Sequence, residues 1–160
     1  MNSTHWHLLI NHIPVLAVPF GFVVLLWGML RRSSEVQKLS FAVFIVAAAI
    51  GWPTHETGHD ASMELQDSSD ATSGFVMLHD AAAGYALWAV GALAFFAIIA
   101  WIAGRGSRAV PAWASVIVLL LSLFASAVLA RTAYLGGQVR HTEIRTKASE
   151  AEAIKKSKED

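Results

Sequence analysis

The sequence predicts an all-α protein, an integral membrane antiparallel four-helix bundle. Three observations predict it. Of the 160 residues, 55% are hydrophobic. They gather in four blocks, each close to the ~20 residues that a helix needs to cross a bilayer. Two of the three connections are short, which sets neighbouring helices antiparallel. A bundle of residues 1–145 and a charged tail, 146–160, follow from that pattern.

The first span is expected from about Trp6 to Leu30, stopping at Arg31-Arg32. The second runs from about Val36 to Trp52, where Pro53 should close it. A polar loop over residues 59–74 carries Asp60, Glu64, Asp67 and Asp70. The third span, about Phe75 to Ala103, ends before "GRGSR". The fourth begins near Pro111, a good first-turn residue, and runs to about Tyr134. Gly136-Gly137 should end or bend it. The tail "HTEIRTKASEAEAIKKSKED" reads as a solvated helix or disorder. Runs such as "AAAGYALWAVGALA" let helices approach closely in lipid.

Net charge is zero, so no overall field points to nucleic acid. The absence of cysteine excludes disulfides, thiolate metal sites, iron–sulfur clusters and thioether-attached haem. Any metal or haem must be held by His, carboxylate, Met or Tyr. The N-terminus lacks a basic region and small-residue cleavage site, and is expected to be retained. Arg31, Arg32 and Lys38 flank one short turn, and Arg105 and Arg108 the other. The positive-inside rule then expects both turns in the cytoplasm and both termini outside, in the periplasm for a bacterial inner membrane.

All seven histidines fall toward the other end of the spans. His5, His7 and His12 open the first, His55 and His59 follow the second, His79 opens the third and His141 follows the fourth. At ~1.5 Å rise per residue, His12 and His55 stand roughly 27 Å from the short-turn end, and Arg131 roughly 30 Å. That is the edge of a ~30 Å hydrocarbon layer. His5 and His7 flank Trp6 and read as interfacial bystanders. His12 interrupts the apolar "LLINHIPVLAV" and His79 the stretch "FVMLHDAAAGYALW". Ionisable groups in such places are candidates for function.

His55-Glu56-Thr57-Gly58-His59 matches the H-E-x-x-H pattern of zinc peptidases. That chemistry needs an unbroken helix, and Pro53 and Gly58 argue against one. Two other readings carry more. In the first, b-type haem is held by His12 and His79 from diagonally opposed spans, with Arg131 and Arg140 pairing its propionates. Such a protein would pass electrons between membrane quinone and an external partner. In the second, Cu, Zn or Fe is held by His12, His79, His55, His59 and His141 or a nearby carboxylate. A structural subunit of a larger membrane complex is the remaining alternative.

The stretches "HLLINHIPVLAVPFG", "THETGHDA" before "LHDAAAGYALW", and "ARTAYLGGQVRHTEI" occur together here. In this the chain resembles an uncharacterised family of bacterial four-span membrane proteins with Asn-His-x-Pro and Gly-Gly-x-x-Arg-His motifs. The resemblance covers about residues 5–145. It implies that His12, His79, Arg140 and His141 share one site with position 59, which is often a carboxylate in similar proteins. Related segments sometimes accompany cytochrome c domains, which implies respiratory electron transfer with a c-type cytochrome as partner.

Overall fold

A computed structural model describes residues 3–63, 69–106 and 109–158. Glu64, Asp67 and Arg108, used in the sequence reading, lie outside them. The chain forms α1 (Ser3–Ile10), α2 (His12–Leu30), α3 (Ser34–Met63), α4 (Asp70–Ala103), α5 (Ala112–Arg140), a 3-10 turn (Thr142–Ile144) and α6 (Lys147–Ser157). The described residues contain no strand. Helix α2 packs against α3 and α5, and α4 packs against the same two. Thus α2 faces α4, and α3 faces α5, across the diagonals of a four-helix bundle.

Four helical segments are long and apolar enough to cross a membrane: Ser3–Leu30, Ser34–Met63, Ala71–Ala103 and Ala112–Arg140. Only 28–33% of their most apolar windows is buried inside the protein. The remaining apolar surface, including Trp88 and Leu16, needs lipid as its solvent. The chain therefore reads as a multi-pass membrane protein. Its core is Val18, Leu25, Phe41, Phe44 and Leu93, interleaved with fully buried Ala47, Ala97, Ala100 and Ala125. The alanines bring backbones close, so dispersion contacts hold the helices where lipid weakens the hydrophobic drive.

Polar groups near the short turns satisfy each other. The Ser115 hydroxyl donates to Gln37 Oε1 at 2.6 Å, and Gln37 Nε2 donates to the Gly28 carbonyl at 3.4 Å. Val110 N–H donates to Ser34 Oγ at 3.2 Å. These bonds tie α2, α3 and α5 together where water is scarce.

Two helix ends and the tail differ from the sequence expectation. Helix α3 passes through Pro53 and Gly58 to Met63. Pro53 deprives one carbonyl of its helical donor. Around it, Thr54 Oγ1 donates to the Ile50 carbonyl and Thr57 Oγ1 to the Pro53 carbonyl, both at 2.7 Å. Tertiary contacts with α1 and α4 support the extension. Helix α5 continues through Gly136-Gly137 to Arg140. The tail is not free either, because α6 packs along α4. Ala153 is fully buried, its backbone pressed against Gly74, where any Cβ would overlap the Ala153 carbonyl. Arg145 secures the turn into α6. Its Nε donates to the Gln138 carbonyl at 2.7 Å and its Nη2 to the Val139 carbonyl at 3.0 Å. The guanidinium also stacks 4.9 Å from the Phe75 ring.

Candidate functional site: a histidine-lined cavity

The junction of α1 and α2 shapes the site. Pro14 sits in the first turn of α2 and has no N–H to offer the end of α1. Asn11 itself keeps helical backbone angles (φ −62°, ψ −29°), so α1 and α2 make one span, Ser3–Leu30, and its α1 part packs on α3. A cavity of about 430 Å³ lies inside the end of the bundle that carries the termini. Its deeper wall is small and apolar, with Val15, Gly51, Ala86, Val90 and Leu129. Above these stand Asn11, His12, His55 and His79, and nearer the mouth Asp80, Arg140 and His141.

His7 and His79 are positioned alike. His7 Nδ1 lies 2.9 Å from the Thr54 carbonyl, and His79 Nδ1 lies 2.9 Å from the Thr132 carbonyl. A carbonyl only accepts, so each Nδ1 carries a proton, which in the neutral ring leaves the lone pair on Nε2. Thr132 is itself fixed, its hydroxyl within 3.2 Å of the Ala82 carbonyl and 3.0 Å of the Val128 carbonyl. The two imidazole centroids are 6.4 Å apart with planes at 79°. Each ring occupies the space above a glycine. A Cβ at Gly58 would come within 2.7 Å of His7 Cε1, and one at Gly136 within 2.9 Å of His79 Cε1. The "GG" and "TG" pairs thus make room for side chains as well as shaping backbone.

The sequence reading left His7 as a bystander beside Trp6. His7 is half-buried and lines the cavity, and it sits opposite His79 where His12 was expected. His12 also lines the cavity, but it is exposed. Five residues of helix turn a side chain by about 140°, so His7 and His12 do not share a direction. The sequence held a signal for His7. Thr4, His7, Asn11 and Pro14 are spaced as one helical face, and all four line the cavity.

The other candidates divide. His55 lines the cavity, and its buried Nδ1 has no hydrogen-bond partner among the described residues; the same holds for Asn11 Oδ1. Two such unpaired atoms in one cavity are costly unless a ligand or water meets them. His59 is exposed and does not line the cavity; its Nδ1 lies 3.3 Å from Oδ2 of the lining residue Asp80. His141 and Arg140 are exposed at the mouth, and His141 Nδ1 lies 2.9 Å from Glu143 Oε1. The Glu143 carboxyl is held below its ordinary range by a backbone N–H and by His141. Arg131 does not join them. It lines a separate, smaller recess with Glu152. Nine residues separate it from Arg140, about half a turn in helix angle, so the two face opposite sides of α5.

The H-E-x-x-H segment lies on unbroken α3, which removes the helix-breaking objection to a peptidase. A catalytic zinc would still need a third protein ligand. Among the described residues, no group of three or more His, Asp or Glu side chains is placed to hold a metal ion.

The mouth of the cavity is one-sided. Of the lining residues, those that are exposed are Leu8, His12, Ala133, Arg140 and His141. All lie on α1, α2 and the end of α5, and none on α3 or α4. The cavity therefore opens between α2 and α5.

Fold and site together define a class: a four-span α-helical membrane bundle with a histidine-lined cavity at one end. Comparison with family models, with curated proteins and with solved structures finds no match for this chain.

Proposed function

We propose that the protein is an electron-transfer subunit of the bacterial inner membrane that binds b-type haem between His7 and His79. The His7–His79 pair carries this reading. A bare Zn, Cu or Fe ion asks for three or four protein ligands, whereas haem iron brings its equatorial ligands and needs one or two from the chain. His7 and His79 would hold such a group through their imidazole nitrogens, the two ring centroids standing 6.4 Å apart. The cavity, about 430 Å³, is within the ~300–1,000 Å³ of cofactor sites. The unpaired Asn11 Oδ1 and His55 Nδ1 also suit a site shaped for a ligand.

Bound haem supplies one-electron redox chemistry. The chain's own part is orientation and charge. Thr54 and Thr132 carbonyls fix the two imidazoles and raise their basicity as ligands. Arg140 at the mouth offers a guanidinium to the propionates. The apolar inner wall keeps water from the ring's inner edge. The opening between α2 and α5 gives membrane quinol a route, and an external c-type cytochrome is the acceptor. By the Arg and Lys bias of the short turns, the site and both termini face the periplasm.

An absorption spectrum of purified protein in detergent tests the reading. A Soret band with sharp α and β bands after dithionite is the expected result. His7→Ala and His79→Ala should each abolish it, while His12→Ala retains it. Colourless protein with stoichiometric Cu, Zn or Fe would move the assignment to a non-haem metal site using His55 and His12. Loss of haem in His12→Ala and His79→Ala, with retention in His7→Ala, would restore the His12–His79 pairing.

A further inference from the structure

The geometry points to a second site: the recess beside Arg131 binds the head group of an amine-bearing phospholipid, its phosphate on Arg131 and its ammonium on Glu152. This does not depend on haem or on the histidine cavity.

Arg131 lies within a membrane-crossing segment, Ala112–Arg140, and its side chain is exposed. It stands roughly 28 Å from the start of α5, at the edge of a ~30 Å hydrocarbon layer. A guanidinium at that depth is costly without an anion. Among the described residues it forms no ion pair. The anion that a lipid-facing side chain meets at this level is the phosphate of a lipid, reached by extending the stem toward the interface.

The recess, about 190 Å³, has the other parts such a head group needs. Leu78 and Leu135 give it an apolar side for the start of the acyl chains. Gln138 is almost fully buried, and its Nε2 donates to Tyr134 Oη at 3.4 Å and to Ser149 Oγ at 3.3 Å. The Tyr134 hydroxyl, having accepted that bond, keeps its own proton to give to a phosphate oxygen. Glu152 comes from α6 and has no cation bonded to it among the described residues. One cation and one carboxylate therefore share a recess without pairing. That arrangement suits a zwitterion of phosphate and ammonium. It exists only because α6 folds back onto α4, so the lipid would also join the tail to the bundle.

Delipidated protein in detergent should be titrated with phosphatidylethanolamine, phosphatidylglycerol and inorganic phosphate, reading lipid retention by native mass spectrometry and Tm. Wild type should retain one phosphatidylethanolamine and gain Tm with it. Arg131→Leu should lower retention roughly fivefold or more, the worth of one basic residue at an anionic surface. Arg131→Lys should fall between, keeping the charge without the two-pronged contact. Glu152→Gln should weaken phosphatidylethanolamine and leave phosphatidylglycerol unchanged. Leucine is at home on a lipid-facing surface, and Arg131→Gln gives a second variant should Leu perturb folding. Wild-type retention in both Arg131 variants overturns the site. Equal stabilisation by inorganic phosphate makes it a free-anion site and overturns the lipid. Phosphatidylglycerol binding as well as phosphatidylethanolamine in wild type overturns the amine-bearing head group.

Discussion

Gly136 shows how one residue can separate stability from function. An alanine there would put its Cβ 2.9 Å from His79 Cε1, closer than carbon atoms pack. The ring must move, and its bond from Nδ1 to the Thr132 carbonyl is lost. That bond contributes about 1 kcal/mol. Alanine in a helix interior recovers about the same amount over glycine. Gly136→Ala should therefore leave Tm within a few degrees while cutting haem occupancy, measured as the Soret-to-protein absorbance ratio. A variant with full occupancy would show that the His79 orientation is not needed. At this scale the sequence was informative about residue type and poor about direction. His79, His55 and Arg140 were read as site residues and line one cavity. His7 was read as a bystander because its neighbour Trp6 suggested the interface, yet it lines the same cavity, since adjacent helical residues point about 100° apart.

At the scale of elements, the tail carries the clearest test. The buried contact of Ala153 with Gly74 leaves no room for a side chain on α4. Gly74→Leu should release α6, at about 1–3 kcal/mol, the usual cost of overpacking. The measurement is protease sensitivity: cleavage within 147–157 should rise sharply while the four spans stay protected. An unchanged digestion pattern would mean that α6 is held by other contacts, such as those of Arg145. The composition of α6 could not reveal this docking. Its charged residues read as solvated, and the decisive feature is an alanine meeting a glycine 79 positions earlier. The helix ends were missed for a related reason. Pro53, Gly58 and Gly136 weaken a helix locally, but threonine hydroxyls and packing partners from other elements supply what they remove.

For the whole molecule, sidedness is the property to test. The chain has no cysteine, so single cysteines can be introduced cleanly. Ser33→Cys, in the turn between α2 and α3, should label only after the membrane is permeabilised. Ser69→Cys, just before α4, should label in intact spheroplasts. The expectation rests on Arg31, Arg32 and Arg105 at the short-turn end. Reversed labelling would put the histidine cavity on the cytoplasmic side.

The sequence by itself determined the class of fold, the number of spans and the end of the bundle where the histidines gather. Those properties depend on local quantities: the length of apolar runs, the positions of breaks and the placement of ionisable residues along the rise of a helix. Tertiary structure decided which histidines oppose each other, that Arg131 and Arg140 face apart, that α6 docks, and that the cavity opens between α2 and α5. Those depend on rotation about each helix axis. A change of one residue in register rotates a side chain by about 100°, and only packing against the other helices fixes that angle.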